Sequence, residues 1–297
     1  MVYRILGLLA LCSLPLTHAS AIPQTPQAIL AQGHHEATTN PTPGLNLLSE
    51  YHAEEDDKKE EAVEAETFTR PSWFTSTLLA RRLLAKSTSG VISTIFPNPL
   101  PPSSRSPEEI AGLPIGLREY ISDCDAALPS HLTHNDNGDP TILALRVATT
   151  FRNIGSSAGS NFSLELDWWD HLDQAGPVYP GLGLSPAALP RVTLFGYLDT
   201  LPELVGADSG SGPDVEELEE CFLASHPDAR VWLPGASGSP HSSFWARMVV
   251  TAVYWIGGFG DVQQIGWMDV EEWKGIGRFE SEVGDGRGWE DVRLPGE

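Results

Sequence analysis

The sequence predicts an α+β protein in which an antiparallel β-barrel carries its helices at the periphery. Three observations lead there. The first is the run from Phe244 to Ile256 (FWARMVVTAVYWI), rich in the β-branched and aromatic residues that favour a pleated strand over a helix. Phe244, Ala246, Met248, Val250, Ala252, Tyr254 and Ile256 fall on one face, and Trp245, Arg247, Val249, Thr251, Val253 and Trp255 on the other. Such a strand spans about 40 Å at roughly 3.3 Å per residue, and it is apolar on both faces. It must therefore bend around a closed or half-closed sheet to hide both sides. The second observation is the turn after it, where Gly257, Gly258 and Gly260 let residues 262–267 return as a hairpin partner. The third is the order of elements: helix, strands, short helix, strands, helix, long hairpin. That makes six or seven strands, an arrangement that suits an antiparallel barrel.

The elements follow in chain order. Residues 1–21 read as a signal peptide. Arg4 supplies the positive start, residues 5–16 an apolar stretch too short to span a bilayer, and Ala19-Ser20-Ala21 a small-residue cleavage site, with cutting after Ala21 first and after Ala19 second. Pro15 and the polar residues that follow disfavour a signal anchor. Residues 22–70 form an acidic leader with too few large apolar groups to offset the entropy of ordering. Such a leader is either solvated or removed as a pro-segment. The folded domain is expected over residues 71–276. It opens with a helix over 72–86, capped by Ser72, with Trp73, Phe74, Thr77, Leu78, Leu83 and Leu84 at helical spacing and Arg81, Arg82 and Lys86 as polar cover. Gly90 ends it. Strands are expected over 91–96, 113–121, 141–145, 161–169 and 192–198, and a short helix over 147–154. Phe162, Leu164, Leu166 and Trp168 point inward from the fourth of these strands. Asp214 caps a further helix bearing Val215, Leu218, Phe222 and Leu223, with Glu217 completing a capping box, and Asp269 and Glu272 repeat that pattern. Residues 170–190 and 206–213 are Gly- and Pro-rich connections. Residues 277–297 read as a flexible, polar, Gly-rich tail.

Length and charge narrow the function. With 297 residues and 41% hydrophobic content, the chain can build one sizeable domain with loose margins, or two small ones. A net charge of -22 repels phosphate backbones and anionic lipid, which argues against nucleic acid or membrane docking. No segment after the leader peptide reaches the ~18 apolar residues of a membrane span. The expected compartment is extracellular, with a vacuole or lysosome lumen as the alternative. Cys12 leaves with the signal peptide, so Cys124 and Cys221 remain in an oxidising environment. They either form a disulfide or sit apart as two small buried hydrophobes, and their spacing leaves both open. Two cysteines without paired spacing make a zinc site improbable.

Four blocks in order, HPDARVWLPG (226–235), HSSFWARMVV (241–250), VYWIGGFG (253–260) and IGWMDVEEW (265–273), resemble the CREG family of cellular-repressor glycoproteins. The likeness runs from about residue 74 to 276 and is dense only toward the C-terminal end. It implies a split β-barrel of the FMN-binding type found in pyridoxamine 5'-phosphate oxidase and its relatives. It also implies a homodimer whose pocket is closed by protein side chains, acting by binding a protein or glycan rather than by catalysis. The alternative is an FMN-dependent oxidoreductase of the wider superfamily. In flavin binders of that superfamily, polar and basic groups on the unit that here covers 141–154 hold the phosphate. Val147, Ala148 and Asn153 match its pattern. The positions where hydroxyl or imidazole groups are usual are mixed here, Leu145, Thr150 and Phe151, and the apolar Leu145 and Phe151 cannot donate to a phosphate oxygen. No cofactor is therefore expected. If FMN binds, Arg146, Thr150 and Arg152 are the residues left to hold it, the arginines otherwise being exposed ends of a short helix.

Other chemistry is sparse. HLTHNDNGD (131–139) brings His131, His134, Asp136 and Asp139 together, but turn-forming loops use the same residues for local hydrogen bonds, and no metal site is expected. His241 beside Trp245 and Arg247 could donate a proton at a barrel mouth, yet it reads better as a turn residue before a core strand. There is neither a Gly-x-Ser-x-Gly elbow nor a phosphate-binding glycine loop, so no catalytic residue is expected. Asn161-Phe162-Ser163 is the one N-glycosylation sequon, because Asn40 and Asn98 are each followed by proline.

Overall fold

A computed structural model describes residues 69–128, 138–179, 181–201 and 213–297, with the side chains of residues 213 and 214 excepted. The expected signal peptide, nearly all of the leader, His131, His134 and Asp136 of the polar turn, the body of the 206–213 connection and the Asp214 cap lie outside the described residues.

The chain enters through α1 (Trp73–Lys86), where the Ser72 hydroxyl accepts from the Thr75 N–H at 3.0 Å and so satisfies a free donor of the first turn. Seven strands follow: β1 (Ser89–Ile95), β2 (Pro114–Ser122), β3 (Thr141–Leu145), β4 (Asn161–Asp167), β5 (Arg191–Thr200), β6 (Ser243–Ile256) and β7 (Ile265–Met268). Helix α2 (Thr149–Ser156) follows β3, the short α3 (Leu172–Ala175) follows β4, α4 (Pro213–Ser225) precedes β6, and α5 (Val270–Lys274) follows β7. Every pairing is antiparallel, in the order β3-β2-β1-β4-β5-β6-β7. A further pairing of β3 with β6, from Thr141 opposite Arg247 to Leu145 opposite Ser243, closes the first six strands into a barrel. β7 rides outside as the second arm of the β6 hairpin. Closure leaves those six strands without a free edge, which is why an apolar two-faced strand such as β6 can exist. The architecture is the expected α+β split β-barrel with peripheral helices.

β6 pairs with β3, β5 and β7 and is the hub of the sheet. It does not, however, keep one alternation along its length. Phe195 lies opposite Ala252 while Gly196 lies opposite Val250, so Thr251 is an extra residue in a β-bulge. Before it, Met248 and Val250 fill the barrel; after it, Val253 and Trp255 do, and Ala252, Tyr254 and Ile256 are only half-buried. Gly196 permits the bulge, since a Cβ there would come within 2.0 Å of the Val249 carbonyl oxygen.

Three buried apolar groups result among the described residues, the smallest joining Leu78 to Ile276 and Val292. The barrel interior joins Ile92, Ile142, Leu164, Leu194, Met248 and Trp255 to Leu83 and Leu84 of α1 and Trp273 of α5. Each fully buried side chain of this size contributes roughly 1.5–3 kcal/mol. A second group lies outside the barrel wall, where α4 lays Leu218 and Phe222 on Trp245, Leu143 and Leu201. Cys124 and Cys221 are joined there as a disulfide, with Cα atoms 6.0 Å apart, tying α4 to the end of β2. This resolves the choice that the spacing left open.

Two sequence expectations need correction. Arg81 and Arg82 are not polar cover but are 2% and 3% exposed. The guanidinium of Arg81 donates to the carbonyls of Trp273 and Ile276, at 2.9 and 3.0 Å, while that of Arg82 meets Glu297 and Glu290. Nor is the segment after residue 276 loose. Leu294 and Val292 are buried, and the Trp168 indole donates to the Pro295 carbonyl at 2.8 Å. The tail's acids Glu290 and Glu297 find the buried Arg82 on α1, a match that no local pattern announces.

Candidate functional site

The turn between β3 and α2 builds the site. The Ala148 N–H donates to the Leu145 carbonyl and the Arg146 N–H to the Ser242 carbonyl, each at 3.0 Å, which anchors the turn beside the start of β6. α2 then runs along the barrel, held by Asn153, whose side-chain amide donates to the Thr94 hydroxyl at 3.1 Å. Between α2, the end of β5 and the start of β6 lies a cleft of about 510 Å³, lined by Phe151, Ile154, Leu198, Leu201, Phe244 and Arg146, among others. Its wall is largely aromatic and aliphatic. The rings of Phe151 and Phe244 meet edge to face at 6.3 Å, and the Arg146 guanidinium lies 4.6 Å from the Phe244 ring centroid.

The three residues that would be left to hold FMN, were it bound, are not brought together here. Arg146 lines the cleft. Thr150 is fully buried and its hydroxyl donates to the Glu119 carboxylate at 2.5 Å. Burial raises the pKa of that carboxyl, and the Thr150 hydrogen bond offsets part of the rise. Arg152 is exposed and does not line the cleft. A flavin phosphate requires several convergent donors. One guanidinium, a hydroxyl already engaged by a carboxylate and the bodies of Phe151 and Phe244 do not fit that requirement.

The remaining candidates separate as well. His241 is exposed in the approach to β6, its carbonyl accepting from the Ser239 hydroxyl. Trp245 is fully buried against Phe222, and Arg247 turns to Asp199 at 3.2 Å and Asp139 at 3.9 Å. No acid–base set forms around His241 from these three. Asp139, the described acid of the HLTHNDNGD stretch, is fully buried and engaged by Lys274, Arg247 and the Val250 N–H. Among the described residues no group of three or more His, Cys, Asp or Glu could hold a metal ion, and no helix is long and apolar enough to cross a membrane. Asn161 is exposed at the start of β4, so an attached glycan would face solvent.

Sequence reasoning missed a centre of buried charge on the other side of the barrel wall. Asp123, Asp125 and Asp139 meet Arg81, Arg247 and Lys274. The Asp139 N–H donates to Asp125 at 3.0 Å. Burial and the neighbouring carboxylates push Asp125 up to about 8. Asp123 and Asp139 are also raised, chiefly by burial, against the pull of Arg81 on one and of Lys274 and Arg247 on the other. Gly138, at φ +81°, lets Trp273 and Arg81 close over this centre, because a Cβ there would sit 2.5 Å from the Trp273 indole nitrogen. The only sequence signal was two arginines inside the leucine stripe of α1.

Comparison with known proteins bears on the fold. No curated protein sequence matches. Among solved structures, a heme binding protein from Mycobacterium smegmatis is 17% identical with a TM-score of 0.42, covering 69% of this chain and 61% of its own. This chain therefore spans about three fifths of that protein. HutZ, the heme storage protein from Vibrio cholerae, is 9% identical with a TM-score of 0.34, covering 59% of this chain and 89% of its own. General Stress Protein 26 from Bacillus anthracis is 8% identical with a TM-score of 0.34, covering 62% and 95%. At these scores the likenesses carry nothing about ligand or activity. The family described as "CREG, beta-barrel" matches residues 74–275, which take in the closed barrel, the cleft and the long hairpin. With more than half of its length inside that match, the chain belongs to the CREG family.

Proposed function

We propose that this protein is a secreted or endolysosomal glycoprotein that acts by binding rather than by catalysis, as a homodimer, on a barrel that in its relatives seats FMN. The observation that carries the reading is the condition of the cradle at the β3–α2 turn. Phe151 and Phe244 line it with apolar surface, Thr150 is tied to Glu119, and Arg146 is its one cation among the described residues. Export is supported by the apolar leader over residues 1–21, by the exposed sequon at Asn161 and by the disulfide, which persists in oxidising compartments. Dimerisation is supported by the outer face of β5–β7, where Tyr197 and Trp267 are 41% and 62% exposed and Phe195 and Tyr254 pack on Trp267.

The test uses full-length protein expressed in a eukaryotic host and recovered from the medium. A colourless product with a light-scattering mass of two chains supports the reading. Absorbance near about 450 nm, with FMN released on denaturation, overturns it in favour of an FMN-dependent oxidoreductase. Failure to reach the medium or a lysosomal fraction removes the proposed localisation.

A further inference from the structure

The cleft that fits a flavin phosphate poorly has a definite chemistry of its own. Its volume, about 510 Å³, lies within the range of small-molecule sites, roughly 300–1,000 Å³. Phe151, Ile154, Leu198, Leu201 and Phe244 make the walls, and none of the described residues lining it is an acid. Its single charge among the described residues is Arg146, stacked on Phe244 at the rim. In a chain of net charge -22, most buried or half-buried cations have found a carboxylate: Arg82 has Glu297 and Glu290, Arg247 has Asp199, and Lys274 has Asp139. Arg146 has no ion pair or side-chain hydrogen bond among the described residues, although anions are more than twice as common as cations in this sequence. An unpaired guanidinium at the mouth of an apolar cleft attracts one negative charge on a molecule whose remainder is hydrocarbon.

We propose that this cleft binds a small amphipathic monoanion, a carboxylate carrying an aliphatic or aromatic body, with the carboxylate on Arg146 and the body laid against the Phe151 and Phe244 rings, Leu198 and Leu201. The proposal rests on the binding reading given above and names the ligand class of the same cleft. The hydrocarbon is held by area removed from water, and the guanidinium adds a charge-assisted, bidentate contact that sets orientation. A doubly charged phosphate ester is disfavoured, because one cation neutralises only half its charge.

Isothermal titration of the full-length protein with laurate tests this, with dodecanol as the uncharged analogue of equal chain length and FMN as the phosphate-bearing competitor. Saturable 1:1 binding of laurate is expected. Arg146→Gln should weaken laurate about tenfold while leaving dodecanol binding unchanged, as expected for loss of one charged contact. Arg152→Gln, on the adjoining helix α2 but off the cleft, should change neither. Absence of saturable laurate binding to the wild type overturns the proposal, as does equal binding by the Arg146→Gln variant. Tight FMN binding instead would overturn the non-catalytic reading, so the two failures are told apart. Because Arg146 is exposed, an unchanged melting temperature in Arg146→Gln confirms that a lost affinity is not lost folding.

Discussion

Arg146 and Arg247 lie on either side of the β3–β6 seam and meet opposite fates. Arg247 is 3% exposed, enclosed with the fully buried Asp139 and reaching out to the half-exposed Asp199, so charges of both signs are packed together at the wall. Arg146 stands at the rim of an apolar cleft with an aromatic ring beneath it and no carboxylate beside it. A buried ion must be compensated or the fold does not form, whereas an exposed one is compensated by water until something better arrives. The enclosed centre is therefore architecture and the open one is available for recognition.

The sharpest way to break this contrast is Asp139→Ala. It leaves Lys274 and Arg247 facing each other in the interior without an anion and removes the acceptor of the Val250 N–H. The expected cost is about 3–5 kcal/mol in urea unfolding. A loss below about 1 kcal/mol would mean that the centre is hydrated and not structural.

The next effect is a pH dependence. Asp125 is raised to about 8, well above the ordinary carboxyl value, so the folded state holds a proton that the unfolded chain releases near pH 4. Its contribution is fully present below about pH 4, declines as pH rises between the two values, and is gone above about 8. Asp123 and Asp139 shift the same way. Glu297, lowered by Arg82 and by the Leu294 N–H against the pull of burial, acts oppositely, and its contribution fades only below the ordinary carboxyl range. Melting temperature should therefore be higher at pH 5.5 than at pH 8.5, and Asp125→Asn should flatten that slope. A wild-type melting temperature that rises over this range would refute the assignment. The smallest effect belongs to the open side. Arg146→Gln should alter stability by no more than about 0.5 kcal/mol, and a larger loss would show that Arg146 holds the turn together.

Much of the barrel was legible from local pattern. The strand over 161–169 announced itself by alternation, Ser72 and Asp269 by their places before apolar runs, and β6 by its composition. Each of these signals involves neighbours within a few residues. Thr251 was not legible as a bulge, because the extra residue exists only relative to Gly196, more than fifty positions away. The tail misled for the same reason. Its glycines and acids look solvated until Arg82 supplies a buried counter-charge. At the site, the apolar Leu145 and Phe151 already implied a poor phosphate cradle. That Arg146 alone of the three candidates would line the cleft could not be read, because Phe244 and Leu198 come from distant strands.

By itself, then, the sequence determined which segments pleat or coil and which family they build, since hydrophobic period, capping and turn chemistry act over a handful of residues. Tertiary structure alone decided which charges are buried in pairs and which stands open. The worth of a charge depends on the dielectric around it and on partners that folding carries in from far along the chain.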